Sequence, residues 1–83
     1  MPDESEQLIE FARLVIQRLE RLPTDSTWAR RSSGARGELL RWIEIYENRA
    51  PGGGTVFERQ ELEALSRAIE FGFYLLKRAV EEY

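Results

Sequence analysis

Residues 62–80 read LEALSRAIEFGFYLLKRAV, and the fold turns on how that stretch is organised. Leu62, Leu65, Ile69, Phe73, Leu76 and Val80 recur at steps of three and four residues, the period of an α-helix and not of a strand. Ala68, Gly72 and Ala79 lie on or beside this stripe, whereas Phe71, Tyr74 and Leu75 fall elsewhere on the surface. Just upstream, Thr55 precedes Glu58 by three residues, the spacing of a capping box in which each side chain satisfies a backbone N–H of the first turn. The pattern predicts a helix over about 56–82.

Working outward, residues 50–54 read APGGG, a turn in which glycine supplies backbone conformations closed to other residues. Before it, Trp28, Ser32, Ala35, Leu39, Trp42 and Tyr46 again step by three and four, predicting a helix over about 25–49 capped by Thr24 or Asp25. Ser32, Ser33, Gly34, Ala35 and Gly37 crowd its first half, and each interior glycine costs up to about 1 kcal/mol relative to alanine. The helix either breaks near 32–37 or continues with a small-residue notch; the unbroken repeat from Trp28 to Tyr46 favours continuity. A first helix over about 4–22 follows from Leu8, Phe11, Val15, Leu19 and Leu22, widened by Ile9, Ala12, Leu14 and Ile16. Pro23 ends it, lacking an N–H and clashing with the preceding turn.

Short corners make consecutive helices antiparallel neighbours. The expected fold is therefore all-α: an up-down-up three-helix bundle with long helices, forming a single domain over residues 1–83. Such a bundle needs one inward stripe per helix. The third helix has more, since Phe71, Phe73, Tyr74, Leu75 and Leu76 nearly encircle it. Phe71, Tyr74 and Leu75 are the candidate self-association surface, and two copies would form a six-helix homodimer.

Composition narrows the chemistry. The chain has no cysteine and no histidine, removing thiolate metal sites, cysteine nucleophiles and the usual neutral-pH general base. No enzymatic activity, cofactor or metal is expected. A net charge of -3 disfavours a general nucleic-acid binder, and no apolar run is long enough to span a bilayer. The acidic opening MPDESEQ is unlike a signal peptide, which places the expected location in the cytoplasm.

One segment looks specialised. Residues 28–37 read WARRSSGARG, and Arg30, Arg31, Ser33, Arg36 and Arg41 form a candidate site for an anion or an acidic protein partner. Arginine offers a planar fork of donors to phosphate or carboxylate. Arg30 and Arg41, eleven residues apart, share a face of a continuous helix. The plainer account makes these arginines a solvated face partly paired with nearby acids, and the small residues a notch for packing. The expected function is a small non-enzymatic protein–protein interaction or assembly module. The alternative is a regulator or carrier that binds an anionic ligand or nucleic acid through residues 30–41.

Overall fold

The computed structural model describes residues 4–23, 27–49 and 56–81. They form α1 (Glu4–Glu20), α2 (Thr27–Arg49) and α3 (Arg59–Glu81), and every pair of helices packs together. Ser5 at the start of α1 meets Phe57 just before α3, and Arg49 at the end of α2 meets Glu61 at the start of α3. Helix α2 therefore runs against α1 and α3, which lie parallel to each other, as the up-down-up arrangement requires. The bundle is slender, with principal extents of 43 × 21 × 18 Å.

Each helix boundary has a local cause. Helix α1 tightens at its end, where Arg21 N–H donates to the Arg18 carbonyl and Leu22 N–H to the Leu19 carbonyl. These i→i+3 bonds close the chain just before Pro23. Helix α2 runs unbroken through Gly34 and Gly37. The Ser32 hydroxyl donates to the Ala29 carbonyl at 2.9 Å and that of Ser33 to the Arg30 carbonyl at 3.0 Å. Both hydroxyls are thus absorbed within the helix, and burial of Trp28, Ala35 and Leu39 offsets the glycine penalty. The proposed caps at Thr24 and Asp25, and the turn at 50–54, lie outside the described residues.

Helix α3 begins three residues later than its sequence suggests. Thr55 lies outside the described residues, and Val56–Glu58 is not helical. Glu58 is the cap: its carbonyl accepts from Leu62 N–H at 2.9 Å, and its N–H donates to Glu61 Oε1 at 3.1 Å. The reach-back carboxylate is therefore Glu61 and not Glu58. A tertiary contact decides this. Phe57 is buried, its N–H donates to Ser5 Oγ at 3.3 Å, and its ring meets the Trp42 ring edge-on at 5.5 Å and the Tyr46 ring at 6.1 Å. A helix starting at Val56 would carry Phe57 out of that pocket.

The inward faces of α1 and α3 are also turned from the expected stripes. Helix α1 buries Ser5, Ile9, Ala12, Val15, Ile16 and Leu19, leaving Phe11 half exposed. Helix α3 buries Leu65, Ala68, Ile69, Gly72, Leu75 and Ala79, leaving Phe73 and Val80 exposed. Close approach is the reason. A Cβ built on Gly72 would lie 2.6 Å from Val15 Cγ1 and 3.6 Å from Leu39 Cδ1. The helices come nearest along their small residues, and the larger side chains move to the flank.

Candidate interaction surface

The candidate self-association residues separate. Leu75 is buried in the core, because it shares the inward face of α3 with Ala68, Gly72 and Ala79, and it cannot serve a partner. Phe71 and Tyr74 are exposed and stack on each other, with ring centroids 6.3 Å apart and planes 20° apart. They are neighbours at i and i+3 on the flank of α3 away from α1.

A larger apolar surface lies on the opposite flank, along the groove between α1 and α3. Half of the groove is lined by Leu8 and Phe11 of α1 with Leu62 and Ser66 of α3. The other half is lined by Leu14 of α1 and Leu22 just beyond its end, with Phe73, Leu76 and Val80 of α3. Phe11 and Leu14, three residues apart, join the two halves. Phe11 is 51% exposed, Phe73 41% and Val80 72%, so the face is open over its whole length. The sequence pattern named most of these residues but assigned them to the interior. The signal that could have turned the frame was the second repeat, Ala68, Gly72, Leu75 and Ala79, whose small members fit a close helix contact better than Phe73 does.

Charge along this groove is unevenly distributed. Glu4, Glu58 and Glu63 stand at the end where α1 and α3 begin, with Arg59 and Arg67; Glu6 and Glu10 lie beside Phe11 on α1 itself, Glu10 paired with Arg13 at 2.9 Å. Arg18, Arg21 and Lys77 stand at the far end, with Glu81. Arg59 is paired with Glu63 at 3.6 Å and Arg78 with Glu81 at 3.6 Å. The beginning is therefore acidic and the far end basic.

The arginine segment does not converge. Arg30 and Arg41 lie on the outer face of α2, about 16 Å apart along its axis, and Arg36 is turned roughly 120° from both. Arg31 lies over the Trp28 ring at 5.0 Å, a cation–π contact. Ser33 is exposed, its hydroxyl already donated to Arg30. Arg30, Arg36 and Arg41 form no ion pair with a described carboxylate, so they are not tied to Glu38. The small residues divide as well: Ser32 and Ala35 pack inward, whereas Gly34 and Gly37 face open space.

Glu61 has a depressed pKa. Its carboxyl is held below the ordinary carboxylate range, first by the Glu58 N–H and then by the Arg49 guanidinium at 2.8 Å, against a smaller opposing effect of burial. This is a helix-capping arrangement at the seam of α2 and α3. Among the described residues, no group of three or more acids could hold a metal ion, and no helix is long and apolar enough to cross a membrane.

No protein-family model, curated protein or solved structure matches this chain.

Proposed function

We propose that this chain is a cytoplasmic, non-enzymatic association module that acts as a homodimer, two copies burying their α1–α3 faces to make a six-helix assembly. One observation carries the reading: a continuous apolar surface bearing Phe11, Leu14, Phe73 and Val80, each well exposed, on a chain with no histidine or cysteine. Large apolar patches of this kind mark association surfaces. Its size is adequate. The 23 residues of α3 span about 34 Å, and two adjacent helices are roughly 20 Å across, so the face is on the order of the 800 Å² per partner that stable complexes bury. Aromatic side chains suit the centre of such a contact, since they bury much area at small entropic cost. The alternative, a ligand site at Arg30, Arg31, Ser33, Arg36 and Arg41, is less favoured because these groups are spread around and along α2 instead of meeting at one point.

Sedimentation equilibrium tests the reading. A protomer is 9.7 kDa, and the wild type is expected at twice that mass at micromolar concentration. Phe73→Glu and Val80→Glu, both at exposed positions, should give folded monomers by far-ultraviolet circular dichroism. A wild type that stays monomeric up to millimolar concentration would exclude self-association.

A further inference from the structure

We infer that the second copy lies antiparallel across the α1–α3 face, so that the acidic end of each groove meets the basic end of the other; this rests on the homodimer reading above. The groove's polarity is the basis. Glu4, Glu58 and Glu63 outnumber Arg59 and Arg67 at one end, and Arg18, Arg21 and Lys77 outnumber Glu81 at the other. A two-fold axis perpendicular to the helices, passing through the middle of the face, places the acidic set of each copy opposite the basic set of its partner. An axis parallel to the helices would set acids against acids and bases against bases. Like charges facing each other across an interface oppose association, whereas complementary potentials speed encounter and fix register.

The helix dipoles favour the same choice. Helices α1 and α3 run parallel, so both N-termini stand at the acidic end of the face and both C-termini at the basic end. Within one copy, side-chain charges complement the helix ends beside them. Across an antiparallel contact, four helices pack with opposed dipoles and side-chain charges of opposite sign. The apolar centre is compatible with this reversal, because Phe11 and Leu14 of α1 and Phe73 of α3 lie between the charged ends. The geometry therefore contributes specificity as well as area: the apolar strip drives association, and the charges at its ends select one of two orientations.

The absence of cysteine from the chain makes the test direct, since any introduced cysteine is the sole labelling site. Gln60 and Arg78 are exposed near opposite ends of α3, eighteen residues and so about 27 Å apart along its axis, and neither lines the groove. Gln60→Cys and Arg78→Cys would be spin-labelled, and distances between protomers measured by pulsed dipolar spectroscopy in full-length dimers. The mixed pair would carry two spectroscopically distinct labels. The antiparallel arrangement predicts that both same-site distances exceed the Gln60–Arg78 distance by at least about 10 Å, given that axial span. Dimers whose same-site distances are the shorter ones would overturn the antiparallel assignment and leave the association reading standing. A chain with no dipolar signal between protomers, and a monomer mass by sedimentation, would overturn both. As a second measurement, the double variant R18E/K77E should raise the dimer Kd about tenfold at low ionic strength. A 1:1 mixture with E4K/E63K should restore association as a heterodimer, and an unchanged Kd in R18E/K77E would count against the charge-selected contact.

Discussion

Replacing Gly72 by alanine should destabilise the protein, although the same change at Gly34 or Gly37 should stabilise it. All three glycines are inside helices. In a helix interior, alanine is favoured over glycine by about 1 kcal/mol, so propensity alone predicts a gain at each. What differs is the space available. A Cβ at Gly34 or Gly37 meets nothing within 4 Å. One at Gly72 would lie 2.6 Å from Val15 Cγ1, about 1 Å inside ordinary carbon–carbon contact. Val15 is fully buried and β-branched, so its methyl cannot swing aside as the end of a long side chain could. Helices α1 and α3 must part instead.

Overpacking of this kind costs about 1–3 kcal/mol. Set against the propensity gain of about 1 kcal/mol, the net change at Gly72 is a loss of roughly 0–2 kcal/mol. The sharper quantity is the difference between G72A and G34A, in which propensity cancels and the overpacking cost of about 1–3 kcal/mol remains. For a domain of this size, 1 kcal/mol moves Tm by about 4–8 °C, so the two variants should be well separated. Urea unfolding followed by circular dichroism at 222 nm measures it, at one fixed protomer concentration so that the proposed association would contribute equally to each variant. V15A should remove the clash, so that adding G72A to V15A becomes stabilising. If G72A raises stability as much as G34A does, or if V15A leaves its effect unchanged, the close α1–α3 contact does not exist in solution. A large loss from G34A or G37A would instead place a partner on the outer face of α2.

Three further outcomes follow from the same structure. Ser5→Ala removes the acceptor of the buried Phe57 N–H and should cost about 1–3 kcal/mol, with faster hydrogen exchange at the Phe57 amide. Glu61 has a depressed pKa when folded, so its stabilising contribution is complete above the ordinary carboxylate value of 4.5 and is lost as pH falls through the folded value. Glu61→Gln should accordingly flatten the fall in stability below about pH 4.5, as measured by urea unfolding across that range. Changing Arg30, Arg36 and Arg41 together to glutamate should leave the dimer Kd within about threefold by sedimentation, because these side chains lie on α2 and off the α1–α3 face.

Much of the fold was legible in the sequence, and the failures share one cause. The number of helices, the continuity of α2 and its face of Trp28, Ser32, Ala35 and Leu39 could all be read from periodicity. That helix has one apolar repeat, so only one frame was available. Helices α1 and α3 each hold two overlapping repeats, a bulky one containing Phe11 or Phe73 and one with smaller members containing Ala12 or Gly72. Periodicity weights large side chains, whereas packing weights the distance of closest approach, and the two criteria disagree here. The start of α3 was ambiguous for a similar reason. Thr55–Glu58 and Glu58–Glu61 are both spaced for a reach-back carboxylate, and the choice depends on Ser5, more than fifty residues away in sequence. Excess apolar character on α3 correctly indicated exposed aromatics, and Phe71 and Tyr74 are among them. The face between α1 and α3 is not legible from periodicity, because its bulky residues make the stronger repeat and so read as core.

The same choice that builds the core also creates the outer face. Ala12, Ala35, Ala68, Gly72 and Ala79 line the interior, and they let three helices approach closely enough to exclude water from a short chain. Had Phe11, Phe73 and Val80 pointed inward, the helices would stand farther apart, with Gly72 and Ala79 wasted on solvent. Turning the small frame inward tightens the monomer but strands the bulky frame on the flank. A domain of this size buries only about 60% of its unfolded surface, so it has little stability to spare for exposed aromatics unless something covers them. Covering that flank with a second copy recovers the stranded apolar area without loosening the interior. On this account the interior glycine and the exposed phenylalanines are one design. A substitution that forces α1 and α3 apart at Gly72 should therefore weaken dimerisation along with folding, even though Gly72 itself is buried against Val15 and Leu39.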